Sequence, residues 1–191
     1  MNKLKSLVII TVVIFLTACF PSKDPNKEVI LLQGLTMGTT YNIKLVVKND
    51  SVKIDTLQRD IDDLLKQVNQ EMSTYIPTSE LSLFNKSQRT EPVEISRGLQ
   101  RVIKESIRIG QMSGGMLDIT IGPLVNLWGF GPENRPEIVP SREALSATKA
   151  RIGLKYLSLQ GNKLTKAIPE LYVDLSTIAK GYGVDVVTEL I

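Results

Sequence analysis

No histidine occurs in the 191 residues, and cysteine occurs once, at Cys19. A lone cysteine excludes any intrachain disulfide. Without imidazole, proton transfer and metal ligation fall to carboxylates, hydroxyls, lysines and backbone groups. Aromatic residues make up only 5% of the chain, and tryptophan is single, at Trp128. No acidic residue appears before Asp24. Basic residues gather into no run. The formal charge is +3, of which Lys3 and Lys5 contribute two, so that +1 remains without them. The other charges are interspersed by sign, which leaves no electrostatic case for nucleic acid. No internal repeat or low-complexity tract is present.

The N-terminus reads as a leader. Lys3 and Lys5 form a positive start, and residues 7–16 form an apolar stretch too short for a membrane-spanning helix. Leu16-Thr17-Ala18-Cys19 resembles a bacterial lipobox, with cleavage before Cys19 and lipid on its sulfur. Residues 1–18 are thus expected to be a lipoprotein signal peptide and 19–28 a lipidated tether. A cysteine in that position is an anchor rather than a nucleophile. Several acyl chains on it would hold a domain stably at a membrane, where one would hold only marginally.

Residues 29–191 fit one domain with its own core. Strands are expected at 29–32 and 41–47, joined through 34–40; in the second, Tyr41, Ile43, Leu45 and Val47 alternate with Asn42 and Lys44. Residues 49–51 read as a turn. Ile54, Leu57, Ile61, Leu64, Leu65, Val68 and Met72 keep a helical spacing over 54–72. Ser96 caps a second helix, 97–111, ended by Gly114 or Gly115, and Ser141 caps a third running to about 151. Residues 156–159 and 164–167 flank Gly161-Asn162 as a hairpin. Residues 171–174 read as a strand leading into a helix from Ser176. Strands interleaved with helices and a hairpin indicate α+β or mixed α/β architecture.

Two segments carry candidate chemistry. The first is 113–132, SGGMLDITIGPLVNLWGFGP. Gly114 and Gly115 permit positive φ and close approach of backbone to a ligand. Asp118 enters an alternating run, Ile119-Thr120-Ile121, that reads as a short strand. Trp128-Gly129-Phe130-Gly131-Pro132 reads as an aromatic loop. Together they suit a large planar ligand; on composition alone the plainer reading, a helix stop, a strand and a core-plugging tryptophan, comes first. The second is 174–185, DLSTIAKGYGVD. There Ser176 or Thr177 can cap a helix whose N-terminal amides favour anions, with Lys180 one turn in. Gly181 and Gly183 each cost about 1 kcal/mol inside a helix, so something is expected to come close to them. The other reading is an amphipathic helix with a solvated lysine and packing glycines.

Taken with Thr36-Met37-Gly38-Thr39-Thr40-Tyr41, with Met72-Ser73-Thr74-Tyr75 followed by Ser79-Glu80-Leu81 and Phe84-Asn85, and with 174–182, the 113–132 block resembles the ApbE family. These are the FAD:protein FMN transferases, and the likeness runs from about Gln33 to the end of the chain. The resemblance implies a mixed sheet with helices packed around it and a flavin nucleotide in a cleft. It implies a reaction in which the FMN half of FAD passes to a threonine or serine hydroxyl of a target protein, AMP leaves and Mg²⁺ assists. Positioning and electrostatics would do most of the work.

Carried over by resemblance, Met37, Tyr75, Met116, Leu117, Asp118, Asp174 and Lys180 contact FAD, with Asp174 and Lys180 in the catalytic centre. Thr177 supplies a metal ligand through its backbone carbonyl. Relatives commonly carry aspartate-glycine-alanine where this chain has Gly114-Gly115-Met116, and alanine or serine at Thr177. From the residues alone, Met37 reads equally as core packing and Tyr75 as a structural tyrosine. The family's later aspartate and threonine ligands and its histidine block have no counterpart here. Helical spacing continues to Ile191, so 29–191 is expected to be the N-terminal part of such a domain. The expected partner is a flavinylated redox subunit. The expected location is the periplasmic side of the inner membrane, with the outer membrane as the other possibility. Hydrolysis of FAD to FMN and AMP, and flavin binding without turnover, are the competing functions.

Overall fold

The computed structural model describes residues 27–48, 53–132 and 139–191. The signal peptide, Cys19 and the tether as far as residue 26 lie outside them, as does the turn at 49–51. Residues 27 and 28, placed in the tether by sequence, begin the first strand.

Strands β1 (Lys27–Thr36) and β2 (Thr39–Lys48) pair antiparallel over their whole length. They are longer than sequence predicted because the connection is only two residues, Met37 and Gly38. Both have positive φ, 49° and 71°, the handedness that matches the twist of a tight hairpin. Ile30 and Leu32 face inward onto helix α1 (Ile54–Met72), whose Ile61 and Leu65 complete a small apolar cluster with Val187. The Tyr41 ring lies over Gly34, where a methyl would come within 2.5 Å of it. Its hydroxyl donates to Asp62 and accepts from Gln58, both on α1.

The larger core holds Val68 and Met72 of α1, Leu81 and Phe84 of α2 (Glu80–Lys86), and Leu99, Val102 and Ile103 of α3 (Arg97–Met112). Ser79 and Ser96 cap α2 and α3 through their hydroxyls. Gly114 and Gly115 stop α3, both at positive φ, with the Gly115 N–H returning to the Gly110 carbonyl at 2.8 Å. Two further short helices follow, α4 (Gly122–Leu127) and α5 (Arg142–Lys149), the latter capped by Ser141. A three-stranded antiparallel sheet, β3-β5-β4, combines β3 (Val93–Glu94) with the hairpin β4 (Leu157–Gln160) and β5 (Lys163–Lys166). Helix α6 (Ala179–Leu190) closes the described chain. The architecture is α+β as expected. Its described strand pairs are all antiparallel and fall in two small sheets. None of the described helices is long and apolar enough to cross a membrane.

Three local expectations are corrected. Residues 119–121 form a turn rather than a strand. The Asp118 carboxylate captures the N–H and hydroxyl of Thr120, and Pro123 opens α4 directly afterwards. Residues 171–175 are buried or half-buried but belong to no ladder. Helix α6 starts at Ala179 without a side-chain cap, because its N-cap position is the apolar Ile178, while the Ser176 hydroxyl donates to Asp174.

One cation is fully buried. Lys166 is 1% exposed, and its ammonium donates to the carbonyls of Phe84, Asn85 and Ser87, at the C-terminal end of α2. Burial pulls its pKa down from the usual lysine value, with Glu170 pulling weakly the other way.

Burial, and next the Asp62 hydrogen bond, raise the Tyr41 phenol to about 12 from its ordinary 10. The folded state therefore prefers the neutral phenol, so this contribution is intact below pH 10 and lost as pH rises through about 12. Denaturant titrations across that window should show stability falling in the native chain, and Tyr41→Phe should flatten the fall.

Candidate functional site

A cleft of about 580 Å³ opens between three parts of the fold, a volume suited to a cofactor-sized ligand. Met37 and Gly38 of the hairpin turn form one side. Val68, Asn69 and Met72 of α1, continued by Ser73, Thr74, Tyr75 and Ile76, form the second. Ser176, Ala179 and Lys180 form the third.

Each side is fixed by identifiable contacts. Met37 is the one described non-glycine residue with positive φ, a conformation that costs energy and marks functional turns. Its side chain reaches α6, where a methyl on Gly183 would sit 3.2 Å from the Met37 terminal carbon. Gly183 is therefore glycine because the hairpin tip packs there. Nothing lies within 4 Å of such a methyl on Gly181, so the close approach expected at both glycines occurs at one. Asn69 donates to the Thr36 hydroxyl at 3.0 Å, tying the turn to α1. The exposed Tyr75 donates through its hydroxyl to the Phe130 carbonyl at 3.4 Å, joining the aromatic loop to the rim.

Lys180 is exposed as the second residue of α6, rather than one turn in. The described salt bridges join Arg89 with Glu91, Arg101 with Glu189 and Arg108 with Glu105, and none involves Lys180. Among the described residues its ammonium is a cation without a carboxylate partner, placed on a cleft wall. That arrangement attracts an anionic ligand group.

Behind this wall stand two matching turns. In Leu117-Asp118-Ile119-Thr120, one Asp118 oxygen accepts the Thr120 N–H at 2.8 Å and the Thr120 hydroxyl at 2.6 Å. In Val173-Asp174-Leu175-Ser176, one Asp174 oxygen accepts the Ser176 N–H at 2.8 Å and its hydroxyl at 2.5 Å. The turns are joined directly, Asp174 N–H donating to the Ile119 carbonyl at 2.8 Å. The structure therefore sets the two aspartates in adjoining turns. In each, these bonds fall on one carboxylate oxygen and leave the second to a ligand or solvent.

Of the sequence-derived site residues, Met37, Tyr75 and Lys180 line the cleft, and Asp174 holds Ser176, which lines it too. Met116, 89% exposed, and the half-buried Leu117 and Asp118 are not among the lining residues. Thr177 is exposed between Ser176 and α6. Gly114 and Gly115, both at positive φ, stop α3, and no protein atom lies within 4 Å of a would-be methyl on either. Trp128, 40% exposed, does not plug the core. Sequence reasoning passed over Asn69 and the turn-closing roles of Thr120 and Ser176, the latter read there only as a possible helix cap. The last two had a readable signal, the Asp-x-Ser/Thr spacing that favours a side-chain-closed turn.

The model of the ApbE family matches residues 37–191. The chain belongs to the ApbE family. Its ApbE relatives include the FAD:protein FMN transferase of Vibrio cholerae serotype O1, 50% identical over 96% of this chain and 54% of that protein. The FAD:protein FMN transferase of Haemophilus influenzae is 44% identical over 99% of this chain and 56% of its own length. Among solved structures, the flavin transferase ApbE from Vibrio cholerae superposes with a TM-score of 0.84 at 54% identity, covering 86% of this chain and 53% of that one. The apo flavinyl transferase ApbE of Pseudomonas stutzeri gives 0.82 at 34% identity, covering 88% and 56%. The chain thus spans about half the length of the curated relatives it matches.

The packing behind the wall is testable at Gly122. A methyl there would meet the Tyr172 ring at 2.4 Å and the Asp174 Cβ at 3.2 Å. Gly122→Ala should destabilise the fold by about 1–3 kcal/mol in urea titrations. Gly181→Ala, which meets open space, should be neutral or stabilise by up to about 1 kcal/mol.

Proposed function

We propose that this chain forms the flavin-dinucleotide side of an FAD:protein FMN transferase, acting on a threonine or serine hydroxyl of an exported redox protein. The observation that carries this reading is the cleft itself. Three stretches that sequence alone tied to the family, at 36–41, 72–75 and 174–182, come together around one cavity with an unpaired lysine on its wall.

In the proposed reaction an acceptor oxygen forms a bond to the FMN phosphorus, the pyrophosphate P–O bond breaks, the hydroxyl proton is lost and AMP departs. The obstacle is negative charge on the pyrophosphate, which repels the nucleophile and holds back the leaving group. Lys180 is the residue placed to offset that charge. Asp174 keeps the 174–176 turn closed and so fixes where Ser176 and the α6 entrance stand. The apolar floor of Val68 and Met72, with Met37 opposite, suits a flat ring system. Tyr75 at the rim offers a ring for stacking.

Mg²⁺ is part of the proposal, with the Thr177 carbonyl as its candidate ligand. A single carbonyl does not make the near-octahedral shell Mg²⁺ requires, and no three acidic side chains stand together among the described residues. These residues therefore do not fit the ion by themselves. What they do is bind and orient the dinucleotide. The proposed location follows from the lipobox: Cys19 acylated, and the domain held on the periplasmic side of the inner membrane.

Incubating the full-length protein with FAD, Mg²⁺ and a threonine-bearing acceptor should give covalent flavin on the acceptor. Free FMN with no labelled acceptor would replace the transferase reading by hydrolysis, and absence of both products with FAD retained would leave a binder. Lys180→Ala should weaken FAD binding about tenfold or more through loss of a charged hydrogen bond. An unchanged affinity would remove Lys180 from the site.

A further inference from the structure

Helix α2 is only seven residues long, yet its start is bonded to one wall of the cleft and its end to the buried run that leads into another. At its start, the fully buried Ser79 caps the Ser82 N–H at 3.0 Å. The Ser79 and Ser82 hydroxyls both donate to the Ser73 carbonyl, at 2.5 and 3.1 Å. Ser73 opens the wall that continues into Thr74 and Tyr75. At its end, the Asn85 amide donates to the Val173 carbonyl at 2.8 Å and accepts the Val173 N–H at 2.8 Å. A single side chain thus takes both backbone groups of the residue before Asp174, 88 positions away in sequence. The buried Lys166 ammonium then binds the carbonyls of Phe84, Asn85 and Ser87, which the end of a helix leaves without partners. That cation is fully occupied in holding the helix end.

We propose that Asn85 is a positioning residue, and that α2 is a brace that fixes the distance between the Tyr75 wall and the wall carrying Ser176 and Lys180. The span offered to a dinucleotide is then set from behind, by a helix that does not line the cleft. This rests on the cleft being the FAD site proposed above. The brace differs from ordinary packing in one respect. Loss of the Asn85 amide frees the 173–176 turn without emptying any apolar volume, so its effect should appear in the binding geometry.

The test uses Asn85→Leu and Asn85→Asp in the full-length protein. The aspartate variant keeps an acceptor for the Val173 N–H but sets a carboxylate against the Val173 carbonyl. Hydrogen exchange at amides 176–180 in the ligand-free protein should speed up in both variants. FAD affinity, followed by flavin fluorescence, should fall roughly ten- to a hundredfold in Asn85→Leu, the scale of the two hydrogen bonds removed. Asn85→Asp should lie between that variant and the native protein. In turnover the loss should fall on the KM for FAD more than on kcat. If Asn85→Leu lowers Tm while affinity and exchange at 176–180 stay native, Asn85 is merely structural and the proposal is overturned. If Asn85→Leu does not fold, Asn85→Asp decides on the same criteria. If the native protein does not bind FAD, the functional reading fails separately, and exchange alone still decides whether α2 is a brace.

Discussion

A backbone that runs through a protein interior without a neighbouring strand still has to satisfy its N–H and C=O groups, because water is not there to do it. Residues 171–175 are in that position. Leu171, Val173 and Leu175 are fully buried, and no ladder accompanies them. The solution is piecemeal. An asparagine amide serves Val173, the Ile119 carbonyl serves the Asp174 N–H, and the Asp174 carboxylate serves the residue that follows the buried run. The rest of the site depends on these bonds, since they decide where the peptide leaves the core and turns into α6.

The same arrangement accounts for the pairing of the two aspartates. Each closes its own turn with one oxygen, and the turns are stitched together by a single main-chain bond. A carboxylate held this way keeps a fixed orientation without a cationic partner. Thr120 adds a third link: its hydroxyl accepts the Gly153 N–H at 2.7 Å while donating to Asp118. The aspartate on that side is therefore anchored to the chain just before the β4–β5 hairpin.

How much of this was legible in sequence varies with the physical origin of each element. Helices α1 and α3 declared themselves through apolar spacing, and α3 and α5 through their serine caps. The β4–β5 hairpin followed from Gly161, which takes φ of 60° at its turn. Short elements were harder. Helix α2 offers less than two turns of periodicity, so Ser79-Glu80-Leu81 registered as a family motif and not as a cap. Residues 171–174 show strand-like alternation because Leu171 and Val173 do enter the core, whereas in 119–121 the adjacent Ile119 and Thr120 are buried and Ile121 is exposed. Alternation reports burial, whereas a ladder needs a partner that local sequence does not reveal. The blocks around Met37, Tyr75 and Lys180 lie on three sides of one cavity. Asn85 registered only as part of a family block, because its role exists only through Val173, distant in the chain.

The hairpin tip has a consequence of its own. Met37 and Gly38 ride on β1 and β2, whose inward residues belong to the smaller apolar cluster, while the other two cleft sides belong to the larger one. Met37 is the tip residue that reaches over to the larger cluster. The cavity thus straddles a seam between two bodies of unequal cohesion, with a methionine as the latch across it. Fraying of the hairpin tip therefore has to break the Met37 contact with the larger cluster and the Asn69–Thr36 hydrogen bond as well as the smaller cluster, so the cleft mouth is held from both bodies at once.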